Sequence, residues 1–250
     1  YKTSKSGFSF GTNFEYLDDF ILGVGNSNFY EKIETDSNAS ARQKSQEGDY
    51  WDSFLKLDFD YDKRNQKFQT SDGFRNFYSL DLPIISETNT LKNSYSFKYF
   101  TELYDENVST FSIYLSAANS LTGDDVKLSE RLNIPSSRLR GFEFGKVGPK
   151  DGTDFIGGNY VSTMNFSSTL PQILENSQNT DFLIFLDVAN IWGVDYSSSI
   201  DDGNKIRSAA GIGVDWFTPV GPLNFSLSQT LSKSSTDKTE SFRFNLGTTF

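Results

Sequence analysis

The sequence predicts an all-β fold, antiparallel strands rolled into a barrel that crosses a membrane. Apolar and polar residues alternate along segment after segment, the apolar parity is rich in aromatic rings, and short connections alternate with long ones. The chain holds 24 Phe and 12 Tyr, yet only 36% of its residues are hydrophobic and its mean hydropathy is -0.48. A transmembrane helix needs about 20 consecutive apolar residues, and no stretch approaches that. A barrel strand crosses with about 9–11 alternating residues, because one face meets lipid and the other a polar lumen. A soluble antiparallel sandwich also alternates. It would have to bury these rings in one core about 10 Å thick, with too few Val, Ile and Leu to fill it.

The strands follow in order. Gly7–Leu17 and Phe20–Tyr30 are joined by a tight connection at Leu17–Asp19. After the polar stretch Glu31–Asp49, Leu55, Leu57, Phe59 and Tyr61 alternate with Lys56, Asp58, Asp60 and Asp62, which reads as lipid outside and water inside. Phe74–Leu82 comes next. Tyr95, Phe97 and Tyr99 then alternate with Ser94, Ser96 and Lys98, and Phe111, Ile113 and Leu115 with Ser112, Tyr114 and Ser116. Asn159–Ser168, Asp181–Trp192, Ile206–Trp216, Pro222–Gln229 and Ser241–Phe250 complete the series, with a long polar connection at Gly193–Lys205 and a tight one at Pro219–Gly221. These make about eleven strands. Single-chain bacterial barrels have even strand numbers, so the expectation is an outer-membrane barrel domain over residues 1–250 whose first strands are missing. The chain opens on Tyr1 with neither Met nor a basic and apolar leader, so a signal peptide and upstream domain are expected to have been removed or left out.

Composition excludes much chemistry. The net charge is -10 and Lys and Arg do not cluster, which argues against a nucleic-acid surface. Without His or Cys there is no Ser-His-Asp triad, no Cys-His pair and no His-based zinc site. No enzymatic activity, catalytic residue, metal or cofactor is expected. Gly141-Phe142-Glu143-Phe144-Gly145-Lys146 faintly suggests a phosphate loop, but its spacing is one residue short and Val147 stands where Ser or Thr is required.

The terminal segment places Phe242, Phe244, Leu246, Thr248 and Phe250 on one parity. Such a strand resembles the signal by which outer-membrane barrels are recognised for assembly, since an edge strand recruits a partner through its backbone while alternate side chains set register. It is also simply a lipid-facing last strand. The connection from about Asn119 to Ile156 is the longest, and long ordered loops in compact domains are usually functional. If it enters the barrel, Arg140 is partly desolvated and needs a carboxylate, preferably as a fork. The bland reading of Arg140 is a solvated loop residue.

Several separately placed motifs resemble one family. Leu139-Arg140-Gly141-Phe142 looks like a VRGF motif, with Val147-Gly148-Pro149 after it; Gly157-Gly158-Asn159 matches a GGN, and Phe185-Leu186-Asp187 with Ile191-Trp192 an FxDxG strand. Arg207–Gly213, Trp216 and Thr218-Pro219-Val220-Gly221-Pro222-Leu223 resemble an RxSaGigvxWxSPlGPL block, and Phe242–Phe250 a terminal FxFxlGxxF. Tyr61-Asp62 and Thr70-Ser71-Asp72-Gly73 resemble a YDxR...PTxG turn more loosely, without its Pro. In these the chain is similar to the BamA-type outer-membrane protein assembly factors.

The resemblance implies that the chain is the C-terminal part of a barrel of about sixteen strands in the bacterial outer membrane. Its function would be to fold and insert other barrel proteins through a lateral gate, and its periplasmic POTRA domains would lie elsewhere. The implied partners are the outer-membrane bilayer, unfolded β-barrel clients and accessory lipoproteins. The loop containing Arg140 would fold back into the lumen. There Arg140 would meet an Asp at Asp187 and a Glu at a position occupied here by Ser167, so Asp187 would carry the contact alone or with another lumen acid. Ala189 replaces the FxDxG glycine. Gly247 would kink the last strand and weaken its seam with the first. Alternative readings are a related translocase, either TamA-like or of the two-partner secretion type, a passive porin, and a barrel fused to an upstream enzyme.

Overall fold

The computed structural model describes residues 1–87, 89–104, 107–171, 179–195, 199–219 and 221–246. Among them one antiparallel sheet of eleven strands carries the fold. Its first six strands are β1 (Lys2–Leu17), β2 (Phe20–Glu34), β3 (Gly48–Asp62), β4 (Gly73–Ser86), β5 (Thr90–Thr101) and β6 (Ser109–Ser120). The long connection that follows contains a small hairpin of β7 (Lys150–Asp151) and β8 (Asp154–Phe155). The wall resumes with β9 (Tyr160–Thr169), β10 (Thr180–Trp192), β11 (Arg207–Thr218), β12 (Gly221–Ser232) and β13 (Phe242–Leu246). Each wall strand pairs with its predecessor, β9 pairing directly with β6, and β1 and β13 form the two edges. The strand count matches the expectation. The first two strands run further than alternation alone suggested, to Lys2 and Glu34, whereas Gly247, Thr248 and Phe250 of the expected last strand, and Val220, lie outside the described residues.

Alternation fixes the register. On β3 the carboxylates of Asp58 and Asp60 share one face, where the Ser79 hydroxyl donates to Asp58 (2.6 Å) and Arg75 forks onto Asp60 (2.8 Å twice). The other face carries rings. Phe20, Tyr61, Phe74 and Phe97 follow one another across β2 to β5 at centroid spacings of 6.4, 5.7 and 6.4 Å, an aromatic ladder near the strand ends of the kind that marks a membrane interface. Residues 18–19 make a tight turn at one end of the sheet, and 121–159 is the longest connection at the other. Two connections break the short-and-long rule. Residues 87–89 are short, and the 63–72 turn is long enough to carry Phe68 edge-on to Phe217, on the far side of the sheet order, at 5.8 Å.

The sheet must curl, because a single connection touches its whole span. From the 121–159 segment, Lys127 reaches Glu31 of β2 and Asp52 of β3, Arg138 reaches Ser96 of β5, and Arg140 reaches Asp187 of β10. This docking changes the lumen. In β9 to β11 the inward positions are not wholly the polar set that alternation predicts: beside Thr163, Asn165, Asp187 and Asp215, the apolar Val161, Leu183, Phe185, Ala189, Ile191 and Ala209 are buried, while Ile184, Leu186, Ile212 and Trp216 are exposed on the outer face. Apolar residues stand on both faces here because the loop, rather than water, covers much of the inner one. Ile134, Leu139, Phe142 and Val147 of the loop form a core with Val161, Ala189, Ile191 and Ala209 of the wall.

Candidate functional site

The site is the place where this loop meets the wall. Leu139 and Phe142 are buried in the shared core and bracket Arg140 and Gly141. Gly141 has φ +84, and a Cβ added there would lie 2.9 Å from the Ala209 Cβ and 3.2 Å from the Ser228 Cβ. The turn that aims Arg140 at the wall therefore requires both left-handed backbone and the absence of a side chain. Both conditions hold at one residue.

The guanidinium of Arg140 meets Asp187 in a fork. Nε donates to Oδ2 and Nη2 to Oδ1, each at 2.7 Å, and the Arg140 backbone N–H adds a third bond to Oδ2 at 3.0 Å. Asn165 completes the carboxylate by donating from Nδ2 to Oδ1 at 2.9 Å, and it also donates to the Arg138 carbonyl at 2.7 Å. Asp187 is wholly buried, and the Phe185 ring lies 3.5 Å from Arg140 Cζ, so the charge rests on an aromatic face as well. A carboxylate in such a site is tolerable only when both oxygens are satisfied, and four donated hydrogen bonds satisfy them. Ser167 pairs with Thr110 and Phe185 instead, and among the described residues Asp187 alone pairs with Arg140. Ala189 sits opposite Thr163 and Arg207 in uninterrupted ladders, so β10 passes this position without a bulge. Beneath the fork, a cavity of about 150 Å³ is lined by Lys98, Arg138, Arg140, Ser167 and Asp215.

The other expected residues fall in two places. Gly157 and Gly158 return the loop to β9. Gly157 has φ +73 and stands where a Cβ would be 2.4 Å from the Leu132 carbonyl oxygen, while Gly158 exchanges backbone hydrogen bonds with Leu132 at 2.8 and 3.0 Å. Gly221 opens β12, and its carbonyl accepts from the Thr218 hydroxyl at 2.6 Å. Phe242, Phe244 and Leu246 are exposed on the outer face of β13, with Phe244 against Phe225 at 5.0 Å between centroids. Gly247 and Phe250 lie outside the described residues. The terminal strand is thus some distance along the sheet from the Arg140 fork, two strands lying between β10 and β13.

Sequence reasoning missed three further anchors of the loop. At its outer end, Lys127 is buried without exposure between Asp52 (2.6 Å) and Glu31 (2.9 Å), which are equally buried. Burial opposes the Lys127 charge, but Asp52, Glu130 and Glu31 outweigh it and raise the pKa above the ordinary lysine value. Arg131 bonds Asp195 at 2.5 Å. Burial opposes ionisation of Asp195 too, yet the Val126 N–H, Arg131 and Asn159 hold its pKa below the usual aspartate range. At the last hairpin, Arg207 pairs with Asp237 at 2.9 Å, and Asp237 accepts from the Gly148 N–H at 3.1 Å. An acid or base standing on the inward parity of a strand was the available signal, as at Asp52 and Arg207.

Comparison with known proteins places this architecture. The Omp85 superfamily domain matches residues 1–250. The outer membrane protein assembly factor BamA of Neorickettsia risticii (strain Illinois) is 24% identical over 257 residues, covering 100% of this chain and 34% of the relative. BamA of Neisseria meningitidis serogroup B is 29% identical over 139 residues, 45% of this chain and 17% of that protein. In structure, the chain resembles the crystal structure of BamA from Haemophilus ducreyi lacking POTRA domains 1-3, with a TM-score of 0.87 at 23% identity over 100% of this chain and 55% of the other. That likeness is one of fold. The chain spans about a third of the length of the first of these relatives.

Proposed function

The chain belongs to the Omp85 superfamily, and from that premise we propose that it is the membrane-embedded barrel part of a BamA-type assembly factor, which folds and inserts β-barrel clients. It resides in the bacterial outer membrane. The observation that carries the proposal is the Arg140–Asp187 fork, which pins a long loop inside the lumen. A plugged lumen makes a poor pore and a rigid template. Each unpaired backbone group in hydrocarbon costs several kcal/mol, so a client strand gains most by entering lipid already paired to an existing edge.

β13 is suited to yield such an edge. Among the described residues it pairs with β12 from Leu223–Leu246 to Leu227–Phe242, and its Phe242, Phe244 and Leu246 lie exposed on the outer face. The mechanism is templated strand pairing at a lateral seam, with neither covalent chemistry nor a cofactor. Its partners are the bilayer, unfolded barrel clients and, through domains beyond this chain, accessory lipoproteins. The test is complementation of a depleted strain by the full-length protein. Arg140→Ala is expected to lose function while Lys146→Ala, four positions past the buried Phe142 and bonded through its backbone, keeps it. Wild-type behaviour of both variants would sink the proposal that the fork matters.

A further inference from the structure

Arg243 stands on β13 between the outward-facing Phe242 and Phe244, so its side chain enters the lumen opposite Ser226. It does not end in water. Its Nη1 donates to the carbonyls of Ser136 and Leu139, the latter at 3.4 Å, and its Nη2 donates to the carbonyl of Phe142. Nε donates to Glu240 at 2.5 Å. Among the described residues, no backbone N–H is directed at those three carbonyls. One guanidinium therefore supplies all three, and only Arg has donors spread widely enough to do so. The segment beside it reinforces the contact: Glu240 N–H donates to the Gly141 carbonyl (3.2 Å), Glu143 N–H to Lys238 (3.1 Å), and Lys238 N–H to Lys146 (3.0 Å). The loop motif is thus held from two sides, by Asp187 of the wall and by Arg243 of the terminal strand.

We infer that Arg243 is a positioning residue that couples the lumen loop to the terminal strand, so that β13 cannot leave the wall without releasing residues 136–142. Its consequence for a gate rests on the function proposed above. The coupling itself belongs to the protein alone.

The experiment is hydrogen exchange on the full-length protein in lipid vesicles without a client, comparing wild type, Arg243→Met and Arg243→Lys. Charge-assisted hydrogen bonds of this kind are each worth about tenfold or more in an opening equilibrium. Arg243→Met should therefore speed exchange about tenfold or more in both 136–142 and 238–246. Arg243→Lys keeps the charge but cannot fork across three carbonyls, so it should fall between the two; it also serves if the Met variant does not reach the membrane. Faster exchange confined to 242–246, or none in either segment, would overturn the coupling. Because no client is present, that result stands apart from any failure of client insertion.

Discussion

Strands β3 to β5 and strands β9 to β11 are built on the same ladder and obey the same alternation, yet their inner faces are opposite in character. The first group turns Lys56, Asp58, Asp60, Arg75, Ser79 and Lys98 inward; Arg75 pairs with Asp60 and Ser79 with Asp58 across strands, and Lys56 with Asp58 along β3. The second turns Val161, Leu183, Phe185 and Ile191 inward around the buried Asp187. What differs is the solvent each face meets. A face bathed in lumen water needs polar residues; a face covered by a docked loop needs apolar ones, plus charges placed to fix where the loop sits. The inner face of a barrel strand thus reports what fills the barrel beside it.

The comparison can be broken most sharply at Asp187. Asp187→Asn leaves the Arg140 guanidinium partly buried without a counterion and puts an amide among donors already directed at that spot. Breaking a buried pair from one side costs about 3–5 kcal/mol. Denaturant unfolding in micelles should register most of that loss, accompanied by release of the loop to proteolysis near Gly141. A loss below 1 kcal/mol would mean that the apolar core holds the loop without its charge. Next in size is Gly141→Ala, which must escape left-handed backbone and also displace Ala209 or Ser228. Strain of this kind costs about 1–3 kcal/mol, and the same unfolding measurement reads it. An unchanged midpoint would show that the turn relaxes freely.

How much of this was legible beforehand follows from the range of each interaction. Alternation is local, so strand positions could be read from such runs as Leu55 to Asp62, and the count of eleven agrees with the sheet. Alternation ends β2 at Tyr30, four residues short of Glu34, because Glu31 looks like a loop residue. It is in fact buried, with Lys127 from nearly a hundred positions away as its partner, and no local pattern announces that. The apolar inner face of β10 was missed for the same reason: Phe185 and Ile191 face inward because of residues 134–147, which are distant in sequence. Arg140 and Asp187 were singled out through motif resemblance, and the geometry brings them together. Arg243 needed no resemblance. Its parity between Phe242 and Phe244 places a cation in the lumen, whereas the carbonyls it bonds, at Ser136 and Phe142, lie 107 and 101 positions away in sequence.

The smallest expected effect is the most telling control. Arg75 and Asp60 form a fork of nearly the same geometry as Arg140 and Asp187, at 2.8 Å rather than 2.7 Å, but with Arg75 38% and Asp60 19% exposed against 20% and 0%. Asp60→Asn keeps an acceptor for Arg75, and water can solvate the freed charge. Pairs open to solvent contribute about 0–1 kcal/mol, so the loss should stay under about 1 kcal/mol by the same unfolding assay. It should also shrink in salt, because screening acts over about 8 Å at 0.15 M ionic strength and a wet lumen admits the ions. The Asp187→Asn loss should hold constant over the same salt range, since its charge lies under the loop. Equal costs for the two substitutions, or equal salt dependence, would mean that fork geometry and not the covering loop sets the strength of these pairs, and the contrast between the two inner faces would lose its energetic meaning.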